Sequence, residues 1–332
     1  MYNRLEKGDQ IGIFSPSAPG TVTAHKRFQR AKTFLQEKGY TIIEGALTGK
    51  SETYRSGTPK ERADEFNKLL RNKDIKMIMS TIGGTNSNSM LPYLDYEAFR
   101  ASPKIIVGYS DATAILLALY AKTGLTTYYG PALIPSFGEF EPLVLDTYQY
   151  FKDYFSSQYQ APFNIPVPAF WSDEHVNWLE KTTEKKLIEN QLITGHEGIA
   201  EGRLIGGNLN AMYGFIGTPY FPEIKEGDIL LIEDSMKTAS IVEKNFAMLK
   251  LHGLFDQIGG IILGKHEQYD DMGTNKRPLD LLLEQLDGRE LPILAEFDIS
   301  HTHPMHPIAI GKKVRLDATA KSVVCLEDWL NI

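Results

Sequence analysis

The stretch KIIVGYSDATAILLALYAKTG, residues 104–124, decides how the first half of this 332-residue chain is read. An apolar run, Ile105 to Val107, stops at Gly108, and a helix-like run with Ala112, Ile115, Leu116 and Leu119 as core contacts follows at once. A short continuous apolar run bounded by glycine reads as a strand buried on both faces. A strand that passes into a helix with almost no loop is half of a β-α-β unit, so the stretch predicts a parallel sheet. Ser110 stands on the junction itself. Gly108-Tyr109-Ser110 supplies the G-x-S part of a nucleophile elbow, in which a sharp turn lifts a serine oxygen above the sheet edge, although Ala112 stands where a second glycine would complete the motif. The competing reading is that Ser110 or Asp111 merely caps the helix.

Outward from this stretch the same rhythm repeats. QIGIFSPSAPG, residues 10–20, is a strand running into a Ser/Pro/Gly loop. Residues 24–38 place Phe28, Ala31, Phe34 and Leu35 on one helical face, and Gly39 stops the helix. YTIIEG is a second strand. TPKERADEFNKLL then opens with Thr58 as N-cap, Pro59 at the first helical position and Glu61 closing a capping box, and it buries Ala63, Phe66, Leu69 and Leu70. IKMIMST is the third strand, KIIVGYS the fourth and LTTYYGP the fifth. Ligands of such sheets bind beyond the carboxyl ends of the strands, which groups the loops SPSAPG, GGTNSNS and GYSD at one edge.

From about residue 155 to 200 the period weakens among prolines, aromatics and charges, which reads as a crossover with a long loop near the site. GRLIGG, GDILLIEDS, QIGGIILGK, LPILAEFDIS and KVRLDATAKSVVCL then resume the strands, with helices over 238–251 and 278–286. The expected architecture is α/β: a parallel-sheet, flavodoxin-like domain over residues 1–160 and a mixed α/β domain over 161–332, with the active site in the cleft between them.

Composition narrows the function. With 42 acidic against 35 basic residues the net charge is −7, which argues against a nucleic-acid backbone as partner. A chain of this length can bury a large core without metals or disulfides. The single cysteine, Cys325, sits in a strand-like run and reads as core filler. No run approaches the ~20 apolar residues of a membrane span. The start, MYNRLEKGDQ, has no apolar signal-peptide region, so the cytoplasm is the expected compartment.

A serine nucleophile needs a base and an oxyanion hole. STIGGTNSNSM places Gly83-Gly84 after a strand, where their N–H groups can face the crevice; the plainer reading is a turn that needs glycine for its dihedrals. GDILLIEDS puts Glu233 and Asp234 just past an apolar strand, and AEFDISHTHPMHP ends a strand in His301, His303 and His306. His-x-His invites a metal, but local spacing offers no third ligand, and Pro304 and Pro307 make the segment irregular. A histidine base oriented by Glu233 fits better, and local pattern does not say which histidine.

VGYSDATAILLALY, TIGGTNSNSMLPYLDY, GRLIGGNLNAM, GDILLIEDS and FDISHTHP, in this order and spacing, resemble the LD-carboxypeptidase and microcin C immunity family of serine peptidases over nearly the whole chain. The resemblance implies a Ser-Glu-His triad of Ser110, Glu233 and His301. It also implies an oxyanion hole from the N–H groups of Gly84 and Asp111, no metal or organic cofactor, and a homodimer. His303 and His306 are then left as supporting residues. One branch of the family trims terminal D-alanine from cell-wall tetrapeptides and typically reads Arg-Gly-Gly-Tyr-Gly at the glycine turn. This chain reads Thr81-Ile82-Gly83-Gly84-Thr85-Asn86-Ser87-Asn88, which is similar to the immunity branch, whose substrates join an aminoacyl or peptidyl group to a nucleotide. In that branch a loop tryptophan stacks on the nucleobase. FWSDEHVNWLE offers Trp178 first and Trp171 second, against the alternative that both pack at the domain junction. Asn86 and Lys237 complete the expected substrate contacts. A rival of another class, a non-catalytic nucleotide or flavin binder using the SPSAPGT loop, lacks both G-x-G-x-x-G and a Walker lysine.

Overall fold

The computed structural model describes residues 4–156 and 159–329. Gln10–Phe14 (β1), Thr41–Glu44 (β2), Ile75–Ser80 (β3), Ile105–Gly108 (β4) and Thr127–Tyr129 (β5) pair in parallel in the order β5-β4-β3-β1-β2. The inner strands are almost wholly buried, whereas β2, at the edge, is only partly so. Helices His25–Glu37 and Pro59–Arg71 fall where the periodicity puts them. The capping box is complete: Thr58 Oγ1 accepts the Glu61 N–H at 3.3 Å and the Glu61 carboxylate accepts the Thr58 N–H at 2.9 Å.

The helix of the decisive stretch, Thr113–Thr123, departs from its expected one-sided face. Thr113 to Leu119 are buried without a break. The reason is that the helix packs on β4 and β5 on one side and meets a strand of the second sheet on the other. A helix apolar all round is one enclosed all round. Gly124, at φ +73°, ends it in the left-handed conformation.

The weak-period region holds Phe163–Asn164 (β6), a two-stranded ribbon of Phe170–Trp171 (β7) with Ile188–Glu189 (β8), and Ile193–His196 (β9). Strands of two residues are too short to show a period, which is why sequence pattern passes over them. Ile199–Asn208 (β10), Ile229–Ser235 (β11), Gly260–Glu267 (β12) and Ile293–Phe297 (β13) form the parallel centre of the second sheet. Ile308–Ile310 (β14) returns to the first sheet, antiparallel to β5. Lys313–Asp317 (β15) and Ser322–Cys325 (β16) complete the second, in the order β6-β16-β15-β10-β11-β12-β13-β9. The histidine segment therefore spans from the end of β13 in one sheet to the start of β14 in the other. Cys325 is buried on β16, and burial pushes its thiol up to about 12. No helix among the described residues is long and apolar enough to cross a membrane.

Candidate active site

A cavity of about 450 Å³ opens where the carboxyl ends of both sheets meet. Ser110, at the end of β4, lines it with φ +60°. A non-glycine residue in that region stores about 1–3 kcal/mol of strain, and such strain gathers at functional turns. Neither Ser110 nor Asp111 caps the following helix, whose start carries no side-chain cap. The Asp111 carboxylate instead accepts the N–H groups of Asn86 and Ser87 at 2.8 and 2.9 Å, tying the serine turn to the glycine turn.

Both glycines of that turn are required by close approach. A Cβ on Gly83 would lie 2.7 Å from Ser110 Oγ, and one on Gly84, at φ +148°, would lie 2.2 Å from Ser17 Oγ. Among the described residues no hydrogen bond takes up the Gly84 N–H. The Asp111 N–H belongs to the first turn of a short 3₁₀ segment, Ser110–Ala112, where no intrahelical acceptor exists.

Glu233 lies near the end of β11, in register with Asn208 of β10, and is fully buried. A buried carboxylate must be satisfied by partners. One oxygen lies 2.7 Å from His301 Nδ1, while the other accepts from the Tyr129 hydroxyl and from Asn208 Nδ2 at 3.0 Å. Burial would raise Glu233, but the His301 charge and these hydrogen bonds bring it below the ordinary carboxylate value. Burial would likewise lower His301, but Glu233, with Glu267 and Asp234 behind it, carries it above 6.5. Tyr109 packs edge-on against the imidazole, with ring centroids 4.7 Å apart. His301 and Ser110 line the same cavity without a direct hydrogen bond; such contacts are often loose in free enzymes and tighten in the complex.

The other histidines have different surroundings. Burial lowers His303 and His306 to about 3. His303 lines the cavity 3.5 Å from Glu139, and His306 packs among Tyr150, Tyr154 and Phe163. No group of three His, Cys, Asp or Glu placed to hold a metal occurs among the described residues.

Of the expected substrate contacts, two line the cavity. Trp178 does, with the Arg27 guanidinium 4.4 Å from the centre of its ring. Lys237 does, donating to the Ser235 carbonyl at 3.0 Å. Asn86 does not: its side-chain oxygen accepts from Arg62 at 2.8 Å and from Ser17 at 3.1 Å, so it braces the glycine turn. Trp171 lies outside the cavity on β7, with Lys265 Nζ 5.1 Å from its ring. Tyr109, Tyr129, Asn208 and Glu267 entered the site with no sequence signal of their own, save that Asn208 follows two glycines at a strand end.

Comparison with known proteins shows the family. The LD-carboxypeptidase N-terminal domain profile matches residues 11–130, and the C-terminal domain profile matches residues 201–316. The chain is 52% identical over 329 residues to the microcin C7 self-immunity protein MccF of Escherichia coli, covering 98% of this chain and 96% of that protein. Solved structures of MccF with aspartyl sulfamoyl adenosine and of MccF with glutamyl sulfamoyl guanosine each superpose with a TM-score of 0.97, at 52% identity and 99% coverage of both chains.

Proposed function

This chain belongs to the LD-carboxypeptidase family of serine peptidases, and on that premise we propose that it is an immunity-type member, hydrolysing the amide between an aminoacyl or peptidyl carbonyl and a nucleotide. The observation that carries the reading is the His301–Glu233 pair, held at 2.7 Å, with His301 lining the same cavity as Ser110 and Trp178.

In this mechanism Ser110 Oγ adds to the carbonyl carbon while His301 Nε2 takes its proton. Glu233 holds the Nδ1–H, fixing the tautomer and stabilising the imidazolium. The N–H groups of Gly84 and Asp111 receive the developing oxyanion. Collapse breaks the C–N bond as His301 returns the proton to the leaving nitrogen, and water then releases the acyl group by the same steps in reverse. Trp178 stacks on the nucleobase. Stacking tolerates different bases, in keeping with related MccF structures that hold an adenosine and a guanosine conjugate.

A second reading, release of terminal D-alanine from a murein tetrapeptide, draws on the LD-carboxypeptidase profiles themselves. One purified sample assayed on an aminoacyl sulfamoyl adenosine and on a murein tetrapeptide separates the two. We expect turnover of the first; turnover of the tetrapeptide alone would replace the nucleotide reading. The proposal extends to a cytoplasmic homodimer, in keeping with the family resemblance, and to a division near residue 160, in keeping with where the two profiles fall.

A further inference from the structure

Ser110 is a strained residue of the site, at φ +60°, and both of its backbone polar groups are held by side-chain hydroxyls. Its N–H donates to the Tyr129 hydroxyl at 3.3 Å, and its C=O accepts from Thr113 Oγ1 at 2.6 Å. Each hydroxyl also reaches the second sheet. Tyr129 donates to Glu233 Oε1, and Thr113 Oγ1 accepts the Asn208 N–H at 3.1 Å. Asn208 in turn donates through its side chain to the same Glu233 oxygen, at 3.0 Å.

These directions are forced by chemistry. A carboxylate or a carbonyl only accepts, a backbone N–H only donates, and a hydroxyl has one proton to give. Tyr129 gives its proton to Glu233 and accepts from Ser110; Thr113 gives its proton to Ser110 and accepts from Asn208. Both side chains are fully buried, so neither hydroxyl has water as an alternative partner. Gly207 makes the closure sterically feasible: a Cβ there would lie 2.9 Å from Thr113 Oγ1 and 3.0 Å from a Tyr129 ring carbon.

We propose that Tyr129 and Thr113 are positioning residues, a two-armed clasp that fixes the Ser110 backbone relative to the Glu233–His301 pair across the junction of the two sheets. The clasp sets how far the serine oxygen stands from its base. The inference rests on the hydrolase reading above and adds to it the parts that bring its two halves into register.

The test measures kcat and KM on an aminoacyl sulfamoyl adenosine for Tyr129→Phe, Thr113→Val and Thr113→Ser, beside Ser110→Ala and Tyr128→Phe. Misplacement of a reacting group by about 1 Å can reduce rate about 100-fold. Tyr129→Phe and Thr113→Val should therefore each lower kcat by roughly 10- to 100-fold, with KM nearly unchanged. Thr113→Ser keeps the hydroxyl and should restore most of the rate. Tyr128→Phe alters a neighbouring buried phenol whose ring packs against Phe155 and Trp329, and should leave kcat as it is. Wild-type kcat in Tyr129→Phe and Thr113→Val while Ser110→Ala is inactive would overturn the clasp and leave the hydrolase standing. So would a Thr113→Ser variant as slow as Thr113→Val. Equal turnover by wild type and Ser110→Ala would instead remove the hydrolase reading. If Tyr129→Phe does not fold, the Val and Ser variants at position 113 decide the question.

Discussion

Glu233, which touches the cavity only through His301, and Trp178, which lines it, are held by opposite means. Glu233 is fully buried, and His301, Tyr129 and Asn208 all converge on its carboxylate. Trp178 is 37% exposed, on a loop that cations of the helix His25–Glu37 reach. Arg27 donates to the Trp178 carbonyl at 3.2 Å, Arg30 to the Leu179 carbonyl at 3.0 Å, and Lys26 pairs with Glu180 in solvent. Arg27 is itself deeply buried and also pairs with the buried carboxylate of Glu139, which Lys185 reaches as well, each at 2.8 Å. Burial alone would raise the Glu139 carboxyl, but His303, Arg27 and Lys185 together bring it well below the usual carboxylate range. A fully satisfied buried network is stiff, whereas exposed ion pairs contribute about 0–1 kcal/mol each. On the proposed reading, the contrast teaches that the acid–base pair is preorganised and the Trp178 wall is adaptable, which suits one reaction on varied nucleotides.

Ser110→Ala tests the rigid end most severely. It should lower kcat by roughly 10⁴- to 10⁶-fold, read in a discontinuous product assay; a variant that keeps its turnover would erase the distinction between the two regions. Glu233→Gln comes next, with an expected loss of about 10⁴-fold from the wrong imidazole tautomer. It also carries a pH signature. His301 must be neutral to take a proton, and its pKa lies above 6.5 because the Glu233 carboxylate outweighs burial. The acid limb of the wild-type kcat/KM profile should therefore have its midpoint above pH 6.5. Without the carboxylate, burial acts with less opposition, and the limb should move to lower pH. A limb unmoved in Glu233→Gln would show that His301 owes its basicity to something else. The smallest effect belongs to the adaptable wall. Trp178→Ala should lose about 1–3 kcal/mol of stacking, a roughly 10- to 100-fold rise in KM for nucleotide substrates, with kcat little changed. An equal loss on a murein tetrapeptide would refute the stacking role.

Much of the scaffold was legible. Thr58, Pro59 and Glu61 announce a helix start because capping is completed within four residues of chain, and the structure forms both bonds. The strands of the first sheet were legible because a buried parallel strand is a plain apolar run. The two faces of the helix Thr113–Thr123 were not, since enclosure by a second sheet depends on how the halves close. Trp171 and Trp178 share one motif and look alike as aromatic loop residues, yet only the second lines the cavity. Asn86 likewise looked like a substrate contact because it sits in the glycine turn, and it proves to brace that turn through Arg62 and Ser17. Arg62 itself is buried on a helix where its spacing suggested nothing, and it donates to Gly57, Pro16, Asn86 and Ser89.

By itself the sequence determined the alternation of strands and helices, the abrupt turn at Ser110 and the glycine pair opposite it, because each of these is a local matter of period, capping and backbone freedom. Local pattern left three neighbouring histidines open and only the family resemblance named His301; the tertiary structure brings that one to Glu233, 68 positions away, and decides which phenol reaches the carboxylate across 104. Those pairings depend on where two sheets come to rest against each other, and that is settled by the packing of their buried faces rather than by any signal along a single strand.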